Sequence, residues 1–274
     1  MRSRNLVRAE PLLGDMLLQE SQKEVTGTAP KRTTRPLKRG ETMQKRRQKR
    51  RMERSIRAQV VNVEHLTAIE GKTIVAFDLE LSGTFPDDII EIGAIRLQEG
   101  ADSVSVFHEL VHPRTFINRT VRKMTGLDKD DFKGKDRLPD ILPAFLQFVG
   151  EDAVVLGHAV GDNDILSINL ALARIAKKTG QRRKFCPPYV DTVRLAKSIL
   201  SKDTTKFNLE ALLLHFGWRA KQKHRALDDA LGAYLLFECL LKDIPHGVPS
   251  FPSLFDTPSG TEIVLERFER NEES

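Results

Sequence analysis

The stretch "TIVAFDLELSG", residues 73–83, decides which fold this sequence adopts. Its apolar run from Ile74 to Phe77 predicts a buried strand, and the acids Asp78 and Glu80 follow on that same strand. Side chains two residues apart on a strand share one face and are separated by about 6–7 Å. Two carboxylates placed in this way repel each other and lose hydration. The pair is therefore tolerable only if a further group neutralises it.

The composition is that of a soluble globular protein. The 274 residues are 40% hydrophobic and 30% charged, which allows one substantial core. No apolar run approaches the roughly 18 residues of a membrane-spanning helix. The first residues carry arginines, but Glu10 and Asp15 interrupt them, so no secretory signal is expected. Cys186 and Cys239 are expected to be free thiols of a cytoplasmic protein that has no membrane partner.

The net charge of +6 is distributed unevenly. Residues 1–60 contain 17 Lys/Arg and 6 Asp/Glu, a net charge of +11, whereas 61–274 contain 27 and 32, a net charge of −5. Because 1–60 also has few large apolar residues, we expect a disordered basic N-terminal arm, part of which becomes helical when bound. Contact with nucleic acid is its expected role, with binding of a protein partner and simple disorder as the alternatives.

From about residue 66 the sequence alternates between strand and helix patterns. Strand-like runs occur at 72–80, 88–98, 103–113 and 152–158. Helical patterns cover 164–178, 192–200, 208–217 and 226–243. This order predicts an α/β domain over 66–242, with a mixed central sheet flanked by helices. Residues 243–274 are Pro/Ser-rich and then acidic, so we expect a tail there.

Two further acids stand where helices begin. Asp164 follows the fourth strand, and Asp229 lies in the first turn of the last long helix. His224 would point about 140° away from Asp229 on a continuous helix, so it reaches the same site only from a preceding loop. Four such carboxylates suit two Mg²⁺ ions about 4 Å apart, which stabilise the attacking and leaving oxygens of a phosphodiester displacement. A histidine nearby accepts the proton of the attacking water.

Ordered motifs resemble those of the DEDDh 3′–5′ exonucleases. "FDLELSG" is similar to the first motif, D-x-E-T-T-G, and "VLGHAVGDNDILSIN" to the middle motif, G-H-N-x-x-F-D. "HRALDD" matches the last motif, H-x-x-x-x-D, and "RKMTGLDKDDF" is similar to a conserved turn between them. The resemblance covers roughly residues 70–242. Within the family it is nearest to the DnaQ-like proofreading domain of the DNA polymerase III epsilon subunit and its stand-alone relatives.

The resemblance implies an RNase H-like exonuclease fold, two Mg²⁺ ions with Mn²⁺ as a substitute, and hydrolysis from a 3′ end. It assigns the metal ions to Asp78, Glu80, Asp164 and Asp229, and it makes His224 the general base.

Some positions depart from the family pattern. Leu81 and Ser82 replace the usual Thr pair of the first motif. The commonest spacing of the middle motif lands on Asn163, so we choose Asp164 as the ligand and keep Asp162 as the alternative.

Three other polar residues are expected to have structural roles. His158 is expected to pin the loop after its strand, and Glu91 to be a structural strand residue. Asp228 is expected to face solvent or to cap its helix, where negative charge is favourable.

The predicted function is a metal-dependent 3′–5′ exonuclease acting on 3′ ends of single-stranded or frayed DNA. The alternatives are a 3′–5′ exoribonuclease, of the oligoribonuclease or RNase T type, and a non-catalytic nucleic-acid-binding adaptor. Decay to an adaptor normally deletes a carboxylate or the histidine, and none is missing. A proofreading role would require a polymerase partner. "FPSLFD", residues 251–256, resembles a short sliding-clamp docking motif, although it lacks the usual Gln.

Overall fold

The computed structural model describes residues 43–84, 88–98, 101, 103–221, 224–244, 250–255 and 258–271. Its main feature is a mixed five-stranded sheet, accompanied by a two-stranded ribbon. The sheet strands are β1 (Ile74–Leu81), β2 (Ile89–Leu97), β3 (Ser105–Leu110), β4 (Val154–Gly157) and β5 (Tyr189–Asp191). The ribbon strands are β6 (Trp218–Ala220) and β7 (Phe268–Arg270).

Helices flank the sheet, as the sequence predicts. They are α1 (Met43–Arg57), α2 (Arg119–Thr125), α3 (Leu138–Val149), α4 (Asp164–Thr179), α5 (Thr192–Leu200), α6 (Leu209–His215), α7 (Ala226–Lys242) and α8 (Pro258–Arg267). Short 3₁₀ helices cover Val63–Ile69 and Lys129–Phe132. None of the helices in the described ranges is both long and apolar enough to cross a membrane.

The sheet has the strand order β3-β2-β1-β4-β5. Strands β1 to β3 pair antiparallel, whereas β4 runs parallel to β1 and β5 runs parallel to β4. The carboxyl ends of β1, β4 and β5 therefore meet at one edge of the sheet. This edge is where a site built from these strand ends must lie.

Strand β1 is buried on both faces, which explains its continuous apolar run. Ile74 and Ala76 belong to the core beneath α5, α6 and α7. Val75 and Phe77 belong to the opposite core, beneath α3 and α4. Because side chains alternate along a strand, Asp78 and Glu80 continue the face that is covered by α7.

The structure differs from the prediction that 1–60 is a disordered arm. Residues 43–57 form α1, which packs against α4, and its Ile56 is only 2% exposed within the core of Val75 and Phe77. Beyond α1, the backbone N–H of Val61 donates to the carbonyl of Tyr189 over 2.8 Å, so the chain pairs with β5. The composition did not reveal this docking, because it rests on a few apolar side chains of a highly charged segment, chiefly Met52 and Ile56. Residues 1–42 lie outside the described residues.

The C-terminal residues also differ from the predicted tail over 243–274. Leu254, Val264 and Phe268 are buried in the core that contains α7, and β7 pairs with β6. The N–H of Leu254 donates to Oε1 of Glu238 over 3.0 Å. These residues pack because α7 exposes apolar side chains on more than one face. Residues 245–249, 256–257 and 272–274 are not described.

This packing also argues against the predicted sliding-clamp motif at 251–256. A docking motif must expose its apolar side chains to the partner. Here Leu254 is fully buried, and the ring of Phe251 packs edge-on against Phe237. Phe251 and Leu254 are therefore used inside the domain, whereas Phe255 is 39% exposed and residue 256 lies outside the described residues.

The docking of α1 predicts a local effect of a charged substitution at Ile56. Ile56→Asp would bury an unpaired carboxylate, so α1 should detach from α4 while the sheet stays folded. Limited trypsin digestion should then cut within 43–57 at least ten times faster than in the wild type. Met43→Asp is the matched control, because Met43 is 62% exposed, and it should digest at the wild-type rate. Equal protection of both variants would show that Ile56 does not hold the helix.

Candidate active site

The carboxyl end of β1 presents two acids to the space between the sheet and α7. In the antiparallel pairing with β2, Asp78 lies opposite Gly93 and Glu80 lies opposite Glu91. Both β1 acids are partly buried. The strand therefore carries two carboxylates into a confined region, as the alternation of its sequence predicts.

Gly93 lets α7 come close enough to complete this region. A Cβ at Gly93 would lie 2.1 Å from the backbone nitrogen of Leu227 and 2.3 Å from the carbonyl carbon of Ala226. Any other residue would push away the first turn of α7, which carries Asp229. Gly93 is thus the close approach that brings Asp229 to the acids of β1.

Asp164, and not Asp162, joins the β1 acids. Asp164 is buried and its backbone N–H donates to the carbonyl of Val160, while the backbone N–H of Leu79 on β1 lies close enough to its carboxylate to oppose the rise in pKa that burial causes. Asp162 is half-exposed and lies 3.7 Å from Nε of Arg57 on α1. Asp164 and Asp162, the two candidates that the sequence offered for the middle motif, therefore differ both in burial and in their neighbours.

His224 approaches the site from the loop before α7, as its spacing predicts. One side-chain ligand atom from each of Glu80, His224 and Asp229 lies within 4.8 Å of the other two. His224 is exposed and has a φ of +55°, a left-handed conformation that is uncommon for a residue with a side chain. Such backbone strain is found where a side chain is held for function.

The buried carboxylate of Glu91 holds the loop that carries His224, a role of Glu91 that was not apparent from the sequence. Glu91 is fully buried and binds the guanidinium of Arg225, with Nη2 at 2.9 Å and Nε at 3.1 Å. Nε2 of His108 lies 2.6 Å from the same carboxylate, and the N–H of Ala226 also donates to it. Burial alone would raise the pKa of Glu91, but the hydrogen bonds of His108 and Arg225 lower it.

Glu91 thus anchors the residue that follows His224. The sequence interpretation made Glu91 a structural strand residue, which is correct but incomplete. Its register opposite Glu80 on the edge of the site was the available clue.

Asp228 differs from its predicted position. It is 1% exposed and accepts from Nη1 of Arg267 over 2.5 Å, whereas exposure to solvent or a helix cap was expected. Its partner belongs to the C-terminal helix α8, which the sequence interpretation treated as tail. Because Arg267 is 39 residues away, no local pattern indicated the pair.

His158 pins the loop after β4, which confirms its predicted role. Its Nδ1 lies 2.9 Å from the hydroxyl of Thr192, and its Nε2 lies 3.0 Å from the carbonyl of Phe207. Burial lowers the pKa of His158 to about 4, so this imidazole is neutral near neutral pH.

Burial and neighbouring negative charges raise the pKa values of all four acids of the site. Burial, followed by the charges of Asp164, Asp229 and Glu80, raises the pKa of Asp78 well above its ordinary value. Burial and Asp229 raise the pKa of Glu80 to about 8. Burial and Asp228 raise the pKa of Asp229 to about 7. The pKa of Asp164 is likewise raised, first by burial.

This donor set fits divalent cations. Hard cations such as Mg²⁺ prefer carboxylate oxygens, which the four site acids supply. None of these four acids forms an ion pair with a Lys or Arg among the described residues. The cluster of Glu80, His224 and Asp229 offers ligand atoms near one another at the rim of the site. The repulsion between acids is what bound cations would relieve.

Comparisons with known proteins agree with this geometry. Residues 75–237 match the RNase T exonuclease family. DNA polymerase III subunit epsilon of Aquifex aeolicus is 33% identical over 188 residues, which are 66% of this chain and 88% of that protein. DNA polymerase III PolC-type of Thermotoga petrophila is 32% identical over 171 residues, but these are only 12% of that longer protein.

One solved structure, of a full-length 3′-exonuclease, shares the fold. It has a TM-score of 0.50 and 16% identity, over 64% of this chain and 62% of that chain. The predicted RNase H-like exonuclease fold is thus confirmed. The chain belongs to the RNase T exonuclease family and is similar to the DnaQ-like epsilon subunit of DNA polymerase III.

The anchoring of Arg225 predicts a large stability loss for Glu91→Ala. This change would leave a partly buried guanidinium without its carboxylate, and breaking a buried pair in this way costs about 3–5 kcal/mol. Urea unfolding followed by circular dichroism measures the loss. Glu109→Ala, at an exposed position on the neighbouring strand β3, should change stability by no more than about 0.5 kcal/mol. A loss below about 1 kcal/mol for Glu91→Ala would contradict the anchoring.

The raised pKa values predict how the stability of the metal-free protein depends on pH. A carboxyl group whose folded pKa is raised binds its proton more tightly when folded, so its contribution is fully present below about pH 4. That contribution is lost as the pH rises through about 7 for Asp229 and about 8 for Glu80. In chelator, Glu80→Gln/Asp229→Asn should therefore gain stability over the wild type as the pH rises from 5 to 8.

The difference between the two proteins is the informative quantity, because His158 acts in the opposite direction. Its lowered folded pKa adds stability above about pH 6.5 that is lost as the pH falls toward 4. His158 is the same in both proteins and cancels. A pH-independent difference would mean that folding does not raise the pKa values of Glu80 and Asp229.

Proposed function

We propose that this protein is a metal-dependent exonuclease that hydrolyses phosphodiester bonds from the 3′ end of single-stranded or frayed DNA. The observation that carries the proposal is the convergence of Asp78, Glu80, Asp164, Asp229 and His224, from three separate segments, on one edge of the sheet. Carboxylates with an imidazole beside them are the groups that two-metal hydrolysis of a phosphodiester requires.

The proposed ligands are Asp78, Glu80, Asp164 and Asp229. Two Mg²⁺ ions, or Mn²⁺ in their place, would supply charge neutralisation and polarisation of the scissile phosphate. The protein side chains contribute rigid placement: Asp78 and Glu80 are fixed by sheet pairing, and the N–H of Leu79 holds the carboxylate of Asp164. Little reorganisation is then needed when substrate binds.

His224 is the proposed general base. Its ring stands beside Glu80 and Asp229 at the exposed rim, where a neutral ring nitrogen can take a proton from water and release it to solvent. The ion pair between Glu91 and Arg225 keeps the ring at this place. A histidine is suited to the task because it changes protonation state near neutral pH.

DNA is proposed as the substrate because the two relatives described above are both named as DNA polymerase III proteins. The chain matches only 12% of the PolC-type protein of Thermotoga petrophila, so association with a separate polymerase is also part of the proposal. The adaptor alternative is disfavoured, because all five residues are present and converge.

The proposal predicts the behaviour of three variants on a 5′-labelled DNA oligomer. The wild type should shorten it from the 3′ end with Mg²⁺ or Mn²⁺ and not with chelator. Asp78→Asn should abolish the activity, since a site acid is lost. His224→Ala should lower the rate about 10²–10⁴-fold, and higher pH should restore part of it as hydroxide increases.

Asp162→Asn is the matched control, because Asp162 lies two residues from Asp164 but outside the acid cluster, and it should keep activity within a few-fold of wild type. A matched RNA oligomer tests the exoribonuclease alternative; faster degradation of RNA than of DNA would overturn the choice of DNA. An Asp78→Asn variant that still degrades either oligomer would contradict the metal site.

A further inference from the structure

A cationic stripe runs along the exposed side of α1. Arg47, Arg50, Arg51 and Arg54 are exposed. Arg47 is three and four residues from Arg50 and Arg51, and Arg54 is four and three residues from the same pair, so all four lie on one face of the helix. The apolar positions Met52 and Ile56 lie on the opposite face and pack into the core. The helix is therefore oriented by its packing, with the stripe directed to solvent.

A second basic segment adjoins this helix. Residues 177–184, at the end of α4 and in the loop beyond it, carry Lys177, Lys178, Arg182, Arg183 and Lys184, all exposed. The sequence contains no Asp or Glu between Asp164 and Asp191. Nζ of Lys184 donates to the hydroxyl of Ser55 on α1 over 2.5 Å, which joins the two segments. We call the exposed cations of 47–54 and 177–184 the basic face.

The basic face begins beside the candidate active site. Arg57, at the end of α1, lies 3.7 Å from Asp162, and Asp162 is two residues from Asp164. From there α1 extends for 15 residues, or roughly 22 Å at 1.5 Å per residue. Along one strand of a duplex, where phosphates rise 3.4 Å each, this is the length of roughly six phosphates, and an extended single strand spans it with fewer. A strand that leaves the site along α1 would thus meet cations over several nucleotides.

Outside the basic face, residues 61–274 repel a polyanion. Their net charge is −5 with the five cations of 177–184 included, and −10 without them. Within 43–57 there are eight Lys/Arg and a single acid, Glu53. Among the described residues, the positive charge that can bind phosphates is therefore concentrated on α1 and on the adjoining residues 177–184.

We infer that the basic face binds the phosphate backbone of the substrate DNA strand upstream of the 3′ end that occupies the active site. The inference rests on the proposed function and adds to it a binding surface outside the catalytic groups. Arginine and lysine side chains on a fixed helix bind phosphates irrespective of base sequence. The surface should therefore increase affinity for long strands and leave the hydrolysis of short ones unchanged.

The test compares an α1 variant, Arg47→Gln/Arg50→Gln/Arg51→Gln/Arg54→Gln, with the wild type. Glutamine keeps a high helix propensity, so circular dichroism should be unchanged. Binding of a 20-nucleotide DNA is measured in chelator, which prevents hydrolysis, between 50 and 200 mM salt. Each lost phosphate contact should reduce the slope of log K against log salt by about 0.7, or about 3 for all four. Hydrolysis of a tetranucleotide with Mg²⁺ should stay within two-fold of wild type.

Two more variants locate the effect. Neutralising Lys177, Lys178, Arg182 and Arg183 in the same way should also reduce the slope, because they form the other part of the face. The control neutralises four exposed cations elsewhere, Lys72, Lys202, Lys206 and Arg219, with the same change in net charge. Its slope should stay within about 1 of the wild-type value.

The outcomes separate this inference from the proposed function. If the wild type fails to hydrolyse the tetranucleotide, the proposed function is wrong. If it hydrolyses the tetranucleotide but the α1 variant keeps the wild-type slope, the basic face does not bind DNA. An equal slope change in the control would show that only net charge matters, and a loss confined to a matched RNA oligomer would overturn DNA as the occupant.

Discussion

Repulsion between the carboxylates at the end of β1 is the constraint on which the rest of the structure depends. Other acids have partners within the protein. Ion pairs join Glu91 to Arg225, Asp88 to Arg114 and Asp228 to Arg267. Asp191 accepts hydrogen bonds from the N–H groups of Ala159 and Val193. The four site acids have no such Lys or Arg partner among the described residues. The fold keeps them together because packing and anchoring of the surrounding elements exceed the repulsion.

Three contacts between residues distant in sequence bring the four site acids close together. Gly93 admits the first turn of α7, Glu91 holds Arg225, and the N–H of Leu79 holds Asp164. Left-handed backbone at Ala159 and His224 occurs in the loops that lead into α4 and α7. Each such residue costs of order 1–3 kcal/mol, which the surrounding contacts offset. The strain therefore appears where the site helices are joined to the rest of the fold.

The chain adds elements on both sides of the segment that matches the exonuclease family. Before residue 75, α1 packs on α4 and its following residues pair with β5. After residue 237, α8 and β7 pack against α7, and Arg267 reaches Asp228 beside Asp229. The guanidinium of Arg270 also stacks 4.6 Å from the ring centre of Trp218. These added elements support the site from outside residues 75–237, the segment that matches the family.

The sequence by itself determined the elements whose information is local. The apolar run of β1 and the two-residue spacing of Asp78 and Glu80 indicate a strand with both acids on one face, because alternation is a property of any strand. The five-residue step from His224 to Asp229 excluded a shared helix face, because helix geometry is fixed. The order of strands and helices predicted a mixed sheet, although β5, with only three residues, was too short to be recognised.

Only the tertiary structure buried Asp164 beside the β1 acids and left Asp162 half-exposed, gave Glu91 its part in holding the His224 loop, and placed α1 and α8 in the domain. Each of these depends on residues distant in sequence: Glu91 and Arg225 are 134 positions apart, and Ser55 and Lys184 are 129 apart. Composition and periodicity describe a segment and its immediate neighbours. The docking of α1 and the burial of Asp164 but not Asp162 depend on packing between distant segments. Only folding of the whole chain brings these segments together.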